Sequence, residues 1–200
     1  NYIIESKLVG DFNAENILSA LAVAHALGIK KEFIEKGIKL CKTIPGRMEI
    51  FQQQNGSKII VDYAHTPDAY QKILSTIKNL SPKSSRLYIV FGAGGERDKT
   101  KRSKMARIAE IYSDCCFVTP DNPRNEDQGK IFNDIVRGFK ENNYLLYNDR
   151  KEGLVSALNK CKSGDIVIVL GKGREEYQEI SNEKVFYSDI DIIKKYDSAL

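Results

Sequence analysis

The sequence is short of the residues that bind metals or cross-link folds. Its 200 residues include only four cysteines and two histidines. Cys41, Cys115, Cys116 and Cys161 form no CxxC pair and stand at no metal-ligand spacing from His25 or His65, so no metal site is expected. The vicinal Cys115 and Cys116 lie in an apolar run and read as buried thiols of a cytosolic protein. No apolar run is long enough to span a bilayer and no signal segment is read at the start, so the expectation is a cytoplasmic protein with no membrane partner. A surplus of one charge is lacking as well. The 31 Lys and Arg stand against 27 acids, a net +4 spread thinly, whereas a nucleic-acid binder concentrates its cations on one face. There is no internal repeat and no low-complexity segment.

What is present is ordinary globular composition, 42% hydrophobic and 29% charged, in a length suited to one large domain or one domain plus part of another. The chain opens "NYIIESKLVGDFNAEN" without a Met and reads as starting part-way through a larger protein. In "AENILSALAVAHALGI" the residues Ile17, Leu18, Leu21, Ala24 and Leu27 make a helical stripe, with His25 packing on it. "KKEFIEKGIKLCK" repeats the pattern, and "TIPGR" marks a boundary near residue 45. Beyond it the period changes. "RMEIFQQQNGSKIIVDYA" reads as two strands joined by Asn55-Gly56. Apolar strands then alternate with amphipathic helices, which predicts an α/β Rossmann-like domain: a mostly parallel sheet with helices on both faces and an N-terminal hairpin.

In such a sheet ligands bind beyond the carboxyl ends of the strands. Four loops occupy those positions, "DYAHTPD", "FGAGGERDK", "TPDNPR" and "GKGREEY", and they are expected to converge. The glycines of "FGAGGERDK" let backbone approach a ligand. Arg97 either holds a carboxylate or pairs with Glu96 or Asp98 in a tight turn. The short basic stretch "RDKTKRSKMAR" reads as a solvated helix face or as an anion contact. Lys172, between two glycines, reads as a solvated turn lysine or a phosphate contact, and Glu175 as a residue of the first turn of a following helix. His65 is a candidate base or phosphate contact, though a loop histidine is more often neither. The stretch "FVTPDNPRNED" is the most loaded. A guanidinium fork at Arg124 suits a carboxylate and Asp121 suits an ammonium, or the two satisfy each other across an Asx-turn.

Taken in order, "GDFNAENILSALAVAHALGI", "PGRMEI", "VDYAHTPDA", "FGAGGERDKTKR", "DNPRNED" and "GKGREEYQ" resemble the Mur ligases of peptidoglycan precursor synthesis. The likeness is greatest to the members that add the third residue of the stem peptide. It implies that residues 1–45 are the helical end of a central ATP-binding domain, and that residues 46–200 are the C-terminal Rossmann-like domain that brings in the amino acid. It also implies a monomer whose substrates are ATP with Mg2+, a UDP-N-acetylmuramoyl-dipeptide and an amino acid, joined through an acyl-phosphate. The P-loop and the magnesium ligands of that family have no counterpart here, so no catalytic residue is expected in this chain.

By the same resemblance Asn13, Asn16, Arg47, Asp62 and His65 serve the nucleotide. Arg97, Asp121, Asn122, Pro123, Arg124, Gly171 and Glu175 serve the amino acid. Arg124 would meet the distal carboxylate of meso-diaminopimelate, which lysine lacks, and an unpartnered buried guanidinium is costly, so meso-diaminopimelate is the expected substrate. The sequence departs from the family at Arg174, where His is usual in "GKGHExYQ". The alternatives are the lysine-adding ligase of the same family and a non-catalytic Rossmann-like module that senses an amino acid or a nucleotide. "GAGGER" argues against an oxidoreductase, and a folate-glutamate ligase would lack "DNPR".

Overall fold

The computed structural model describes residues 1–198. Two helices come first, α1 (Asp11–Ala26) and α2 (Lys31–Leu40). A hairpin of β1 (Glu49–Gln52) and β2 (Lys58–Asp62) follows, and then the alternation the sequence predicts: α3 (Pro67–Leu80), β3 (Leu87–Phe91), α4 (Thr100–Tyr112), β4 (Cys115–Val118), α5 (Gln128–Val136), β5 (Tyr144–Leu146), α6 (Arg150–Lys160) and β6 (Ile166–Leu170). The chain closes with β7 (Tyr177–Ile180), β8 (Glu183–Phe186) and α7 (Asp189–Ser198).

Six strands form one sheet in the order β1-β2-β6-β3-β4-β5, parallel except for β1. Its central strands are apolar runs buried on both faces, as a sheet covered by helices requires. Leu87, Ile89 and Phe91 point into a core with α3, α4 and α5, while Tyr88 and Val90 point to the other face, toward α6 and α7. Cys115 and Cys116 are buried and free, and burial pushes the Cys116 thiol up to about 12. Local chemistry sets the helix starts. Thr66 caps α3 by accepting the Ala69 N–H, with Pro67 at the first position. Ser188 likewise accepts the Asp191 N–H at the head of α7.

The register aligns Asp62 with Leu170, Val90 with Val169 and Phe91 with Val118. The four strands therefore end at one edge, and the four loops that follow them converge as expected.

Two expectations fail. No helix follows the 171–176 turn, so Glu175 is not in a helical first turn. The chain enters a two-stranded hairpin instead, with Tyr177 opposite Phe186. The α1 stripe is only partly covered within this chain. Ile17, Leu21 and Ala24 are half-buried, whereas Leu18 and Leu27 are exposed; Asn13 is the buried residue of the helix, and His25, expected to pack, lies at the surface, its Nδ1 2.8 Å from the Tyr2 hydroxyl. No helix among the described residues is long and apolar enough to cross a membrane.

Candidate amino-acid and nucleotide site

Three cavities open at the carboxyl edge of the sheet. An open one of about 430 Å³ is lined by Gly46, Tyr63, Lys172, Arg174 and Glu175 among others. The other two hold the residues singled out from the sequence. One, of about 240 Å³, is lined by Tyr63, His65, Gly94, Arg97, Lys101, Asp121, Asn122, Arg124, Gly171 and Glu175. The other, of about 390 Å³, is lined by Asn13, Asn16, Arg47, Asp62, Tyr63 and His65 among others. Every residue that the sequence singled out for an amino acid, except Pro123, thus lines the first, and every residue singled out for a nucleotide lines the second. Tyr63 and His65 face both. A roomier hollow of about 450 Å³ lies by Lys58 and Ile166, the first residues of β2 and β6. That is the wrong end of a parallel sheet for a ligand, and its lining is largely aliphatic.

The glycines after β3 serve a purpose the sequence did not reveal. A Cβ on Gly92 would stand 2.2 Å from the Thr119 carbonyl oxygen, and one on Gly95 would stand 1.9 Å from that of Pro123. They admit the neighbouring loop, not a ligand. The Gly95 N–H donates to the Asn122 carbonyl at 2.9 Å, which locks "GAGG" to "DNPR". Pro123 belongs to this seam and not to the pocket wall. Arg102, from the basic stretch, is fully buried beneath it, donating two hydrogen bonds to Glu126 at 2.7 Å and one to the Gly94 carbonyl at 3.0 Å. That residue is neither solvated nor an anion contact. Arg97 is exposed at the pocket mouth and has no ion pair among the described residues, so of its two alternatives the pairing with Glu96 or Asp98 is absent. Lys101, from the same basic stretch, lines the pocket, as the anion-contact alternative allows, and burial holds its ammonium below the ordinary value.

Asp121 and Arg124 do not satisfy each other. Asp121 Oδ1 lies 3.2 Å from Lys172 Nζ, whereas Arg124 Nε pairs with Glu179 at 2.9 Å and its Nη1 donates to the Gly95 carbonyl at 2.8 Å. Nη2 of Arg124 makes no hydrogen bond among the described residues and is left for the pocket. Lys172, read as solvated or as a phosphate contact, is fully buried. Arg174, where the sequence departs from the usual His, does not line this pocket and grips Glu49 through Nε at 2.9 Å and through Nη2.

In the second cavity Asp62 is buried, and both its oxygens accept backbone N–H groups, from Met48 at 2.8 Å and Ala64 at 2.7 Å. Burial raises its pKa despite those two bonds. Asp62 therefore shapes the cavity and does not reach across it. The Arg47 guanidinium lies over the Tyr63 ring at 4.8 Å, within range of a cation–π contact. His65 donates from Nδ1 to the Tyr63 carbonyl at 2.9 Å, and the Tyr63 hydroxyl donates to Glu175 at 3.2 Å. Tyr63 escaped the sequence reading; its place beside Asp62 in "VDYAH" was the available signal. No three His, Cys, Asp or Glu side chains among the described residues are grouped to hold a metal.

Residues 46–173 match the family model described as "Mur ligase, glutamate ligase domain". The chain is 42% identical over 195 residues to UDP-N-acetylmuramoyl-L-alanyl-D-glutamate–2,6-diaminopimelate ligase of Aquifex aeolicus, covering 97% of this chain and 40% of that protein. The likeness to the Bacillus cereus protein of the same name is 40% over 192 residues, covering 96% and 39%. A solved structure bearing that name superposes with a TM-score of 0.74 at 34% identity, covering 98% of this chain and 40% of its own. The chain spans about 40% of the length of the curated relatives it matches.

Proposed function

This chain belongs to the Mur ligase family, a family of ATP-dependent amide-forming ligases, and from that membership we propose that it is the amino-acid-adding part of a peptidoglycan-precursor ligase that uses meso-diaminopimelate. Residues 1–45 then close a central ATP-binding domain, and residues 46–200 form the domain that delivers the amino acid. One observation carries this reading. The residues with amino-acid chemistry and those with nucleotide chemistry line two adjoining cavities that share Tyr63 and His65.

In the proposed reaction the γ-phosphoryl group of ATP passes to the D-glutamate side-chain carboxylate of a UDP-N-acetylmuramoyl-dipeptide, leaving ADP. The amine of meso-diaminopimelate then attacks the acyl carbon. The C–N bond forms, the C–O bond to phosphate breaks, inorganic phosphate leaves and the amine gives up a proton. This chain positions and neutralises. Arg97 and Arg124 Nη2 take carboxylates, Asp121 and Glu175 take an ammonium, and Asn122 and the Gly171 turn shape the wall between them. Asn16 and Arg47 meet the nucleotide, with Asn13 and Asp62 holding the backbone around it and His65 standing at the shared wall. Mg2+ would accompany the ATP phosphates. The described residues group no three His, Cys, Asp or Glu side chains and do not fit a magnesium site. The setting is the cytoplasm, and the enzyme acts as a monomer.

The test is ligation by the complete gene product with meso-diaminopimelate and with L-lysine, each with ATP and the UDP-linked dipeptide. Amide formation strongly favouring meso-diaminopimelate is expected. Equal or better use of L-lysine, or no ATP-dependent amide at all, overturns the reading.

A further inference from the structure

Lys172 is a lysine with no exposure to solvent. Gly171 and Gly173, at φ 107° and 54°, flank it and turn its side chain inward behind the pocket wall. Its Nζ meets four oxygens: Asn122 Oδ1 at 2.8 Å, the Tyr177 carbonyl at 2.8 Å, Asp121 Oδ1 at 3.2 Å and Glu175 Oε2 at 3.4 Å. Three ammonium protons are thus fully engaged, and the group does not line the pocket. The Asn122 amide is oriented by the same arrangement. Its Oδ1 accepts from Lys172 and from the Glu179 N–H at 3.1 Å, so its Nδ2 donates to Glu175 at 3.1 Å.

Two carboxylates facing one small cleft repel each other, and an unpaired ion out of water is expensive. One buried cation between them offsets one of the two charges. Counted over Asp121, Glu175 and Lys172 alone, a single surplus negative charge remains for one incoming ammonium, while the cations Arg97, Lys101 and Arg124 line the rest of the pocket. We infer that Lys172 is a positioning residue of the amino-acid site. It is a resident counter-cation that holds Asp121, Asn122 and Glu175 in place and sets the wall's charge to suit one ammonium. The inference rests on the reading of this pocket as an amino-acid site.

At neutral pH meso-diaminopimelate carries equal numbers of carboxylates and ammonium groups, whereas L-lysine carries one surplus positive charge. Lys172→Met in the complete gene product leaves the wall too negative. The KM for meso-diaminopimelate should rise on the order of 10- to 100-fold while that for ATP moves less than about threefold. The ratio of kcat/KM for meso-diaminopimelate to that for L-lysine should fall, because the more cationic amino acid suffers less. An unchanged ratio, or equal rises in both KM values, overturns the inference. Should Lys172→Met not be recovered folded, the double variant Lys172→Met/Glu175→Gln removes one charge of each sign, and its ratio should return toward the Glu175→Gln value. A ratio as low as simple additivity with a Lys172→Gln variant predicts would overturn the inference equally. The wild-type rates test the functional reading by themselves. The direction in which the ratio moves tests Lys172 whichever amino acid the wild type prefers.

Discussion

Arg124 Nε lies 2.9 Å from a carboxylate oxygen of Glu179, across the gap between the 119–125 loop and β7. Backbone bonds reinforce the pair: the Arg124 N–H donates to the Glu179 carbonyl, and the Ser181 N–H donates to the Arg124 carbonyl, both at 2.9 Å. Arg124 itself sits at φ 53°, a left-handed conformation that a non-glycine residue holds only when its surroundings insist. With Nε and Nη1 occupied, the guanidinium is fixed in orientation before any ligand arrives. Such a preorganised fork loses little freedom when it takes a carboxylate.

Arg124→Ala should therefore raise the KM for meso-diaminopimelate by about tenfold or more, from the loss of a charge-assisted bond, with the KM for ATP nearly unchanged. Glu179→Ala, which leaves the guanidinium present but unmoored, should raise it by a smaller factor, about threefold to tenfold. Steady-state kinetics on the complete gene product read both effects. Equal changes in the two KM values would contradict the role.

Asp62→Asn should act on the nucleotide side. One backbone N–H, from Met48 or Ala64, would face the new amide NH2 instead of an oxygen, a loss of about 1–3 kcal/mol of local stability. The 44–48 turn then loosens, and the KM for ATP should rise more than that for the amino acid. Kinetics together with urea unfolding of the chain separate the two consequences.

Glu49 and Arg174 form a fork whose ends are unequal. Arg174 is half exposed, whereas Glu49 is nearly buried and also accepts the Gly46 N–H at 2.9 Å. The Arg174 bond is the chief reason the Glu49 carboxyl lies below its ordinary range. Arg174→Ala should cost less than about 1 kcal/mol, as surface ion pairs do. Glu49→Ala strands a buried N–H and should cost about 1–3 kcal/mol. Urea midpoints at constant m-value give the comparison.

The seam between "GAGG" and "DNPR" should be sensitive to acid. The hydrogen bonds from Arg102, helped by those from the Glu96 N–H and Lys99, hold the Glu126 carboxyl far below the usual carboxylate range. A depressed carboxylate stabilises the fold fully above its unfolded value, near 4, and that contribution is lost as pH falls through and below it. Asp62, raised by burial, works in the opposite direction: its native state binds the proton more readily, so acid favours it. Stability of the wild-type chain should fall on acidification below about pH 4, and Glu126→Gln should be less stable at pH 7 with a flatter acid limb. Unfolding free energies measured across that range provide the check.

The strands and helices were legible because each carries its own period. Ile89 and Val90 on a doubly buried strand, Asn55-Gly56 at a hairpin and Pro67 at a helix start are local signals, and the structure honours them. The grouping of Arg97, Asp121, Arg124 and Glu175 was legible too, because parallel strands deliver their following loops to one edge. Pairings between loops were not. Lys172 looked solvated because a charge beside glycines commonly is, and only the packed fold shows four oxygens waiting for it. "REEYQEI" reads as helix by composition, yet Tyr177–Ile180 is a strand, since the bridge to Arg124 and the pairing with β8 outweigh a weak propensity. Gly95 signalled closeness without revealing to what.

The stitching of residue 124 to the β7–β8 hairpin has a consequence for engineering. A graft of the 119–125 loop alone into another scaffold would carry the guanidinium without its anchor, and a graft of the hairpin alone would carry the anchor without its fork. The guanidinium and its anchor come from two segments more than fifty residues apart, so under the proposed function side-chain selectivity is inherited, or redesigned, as a pair.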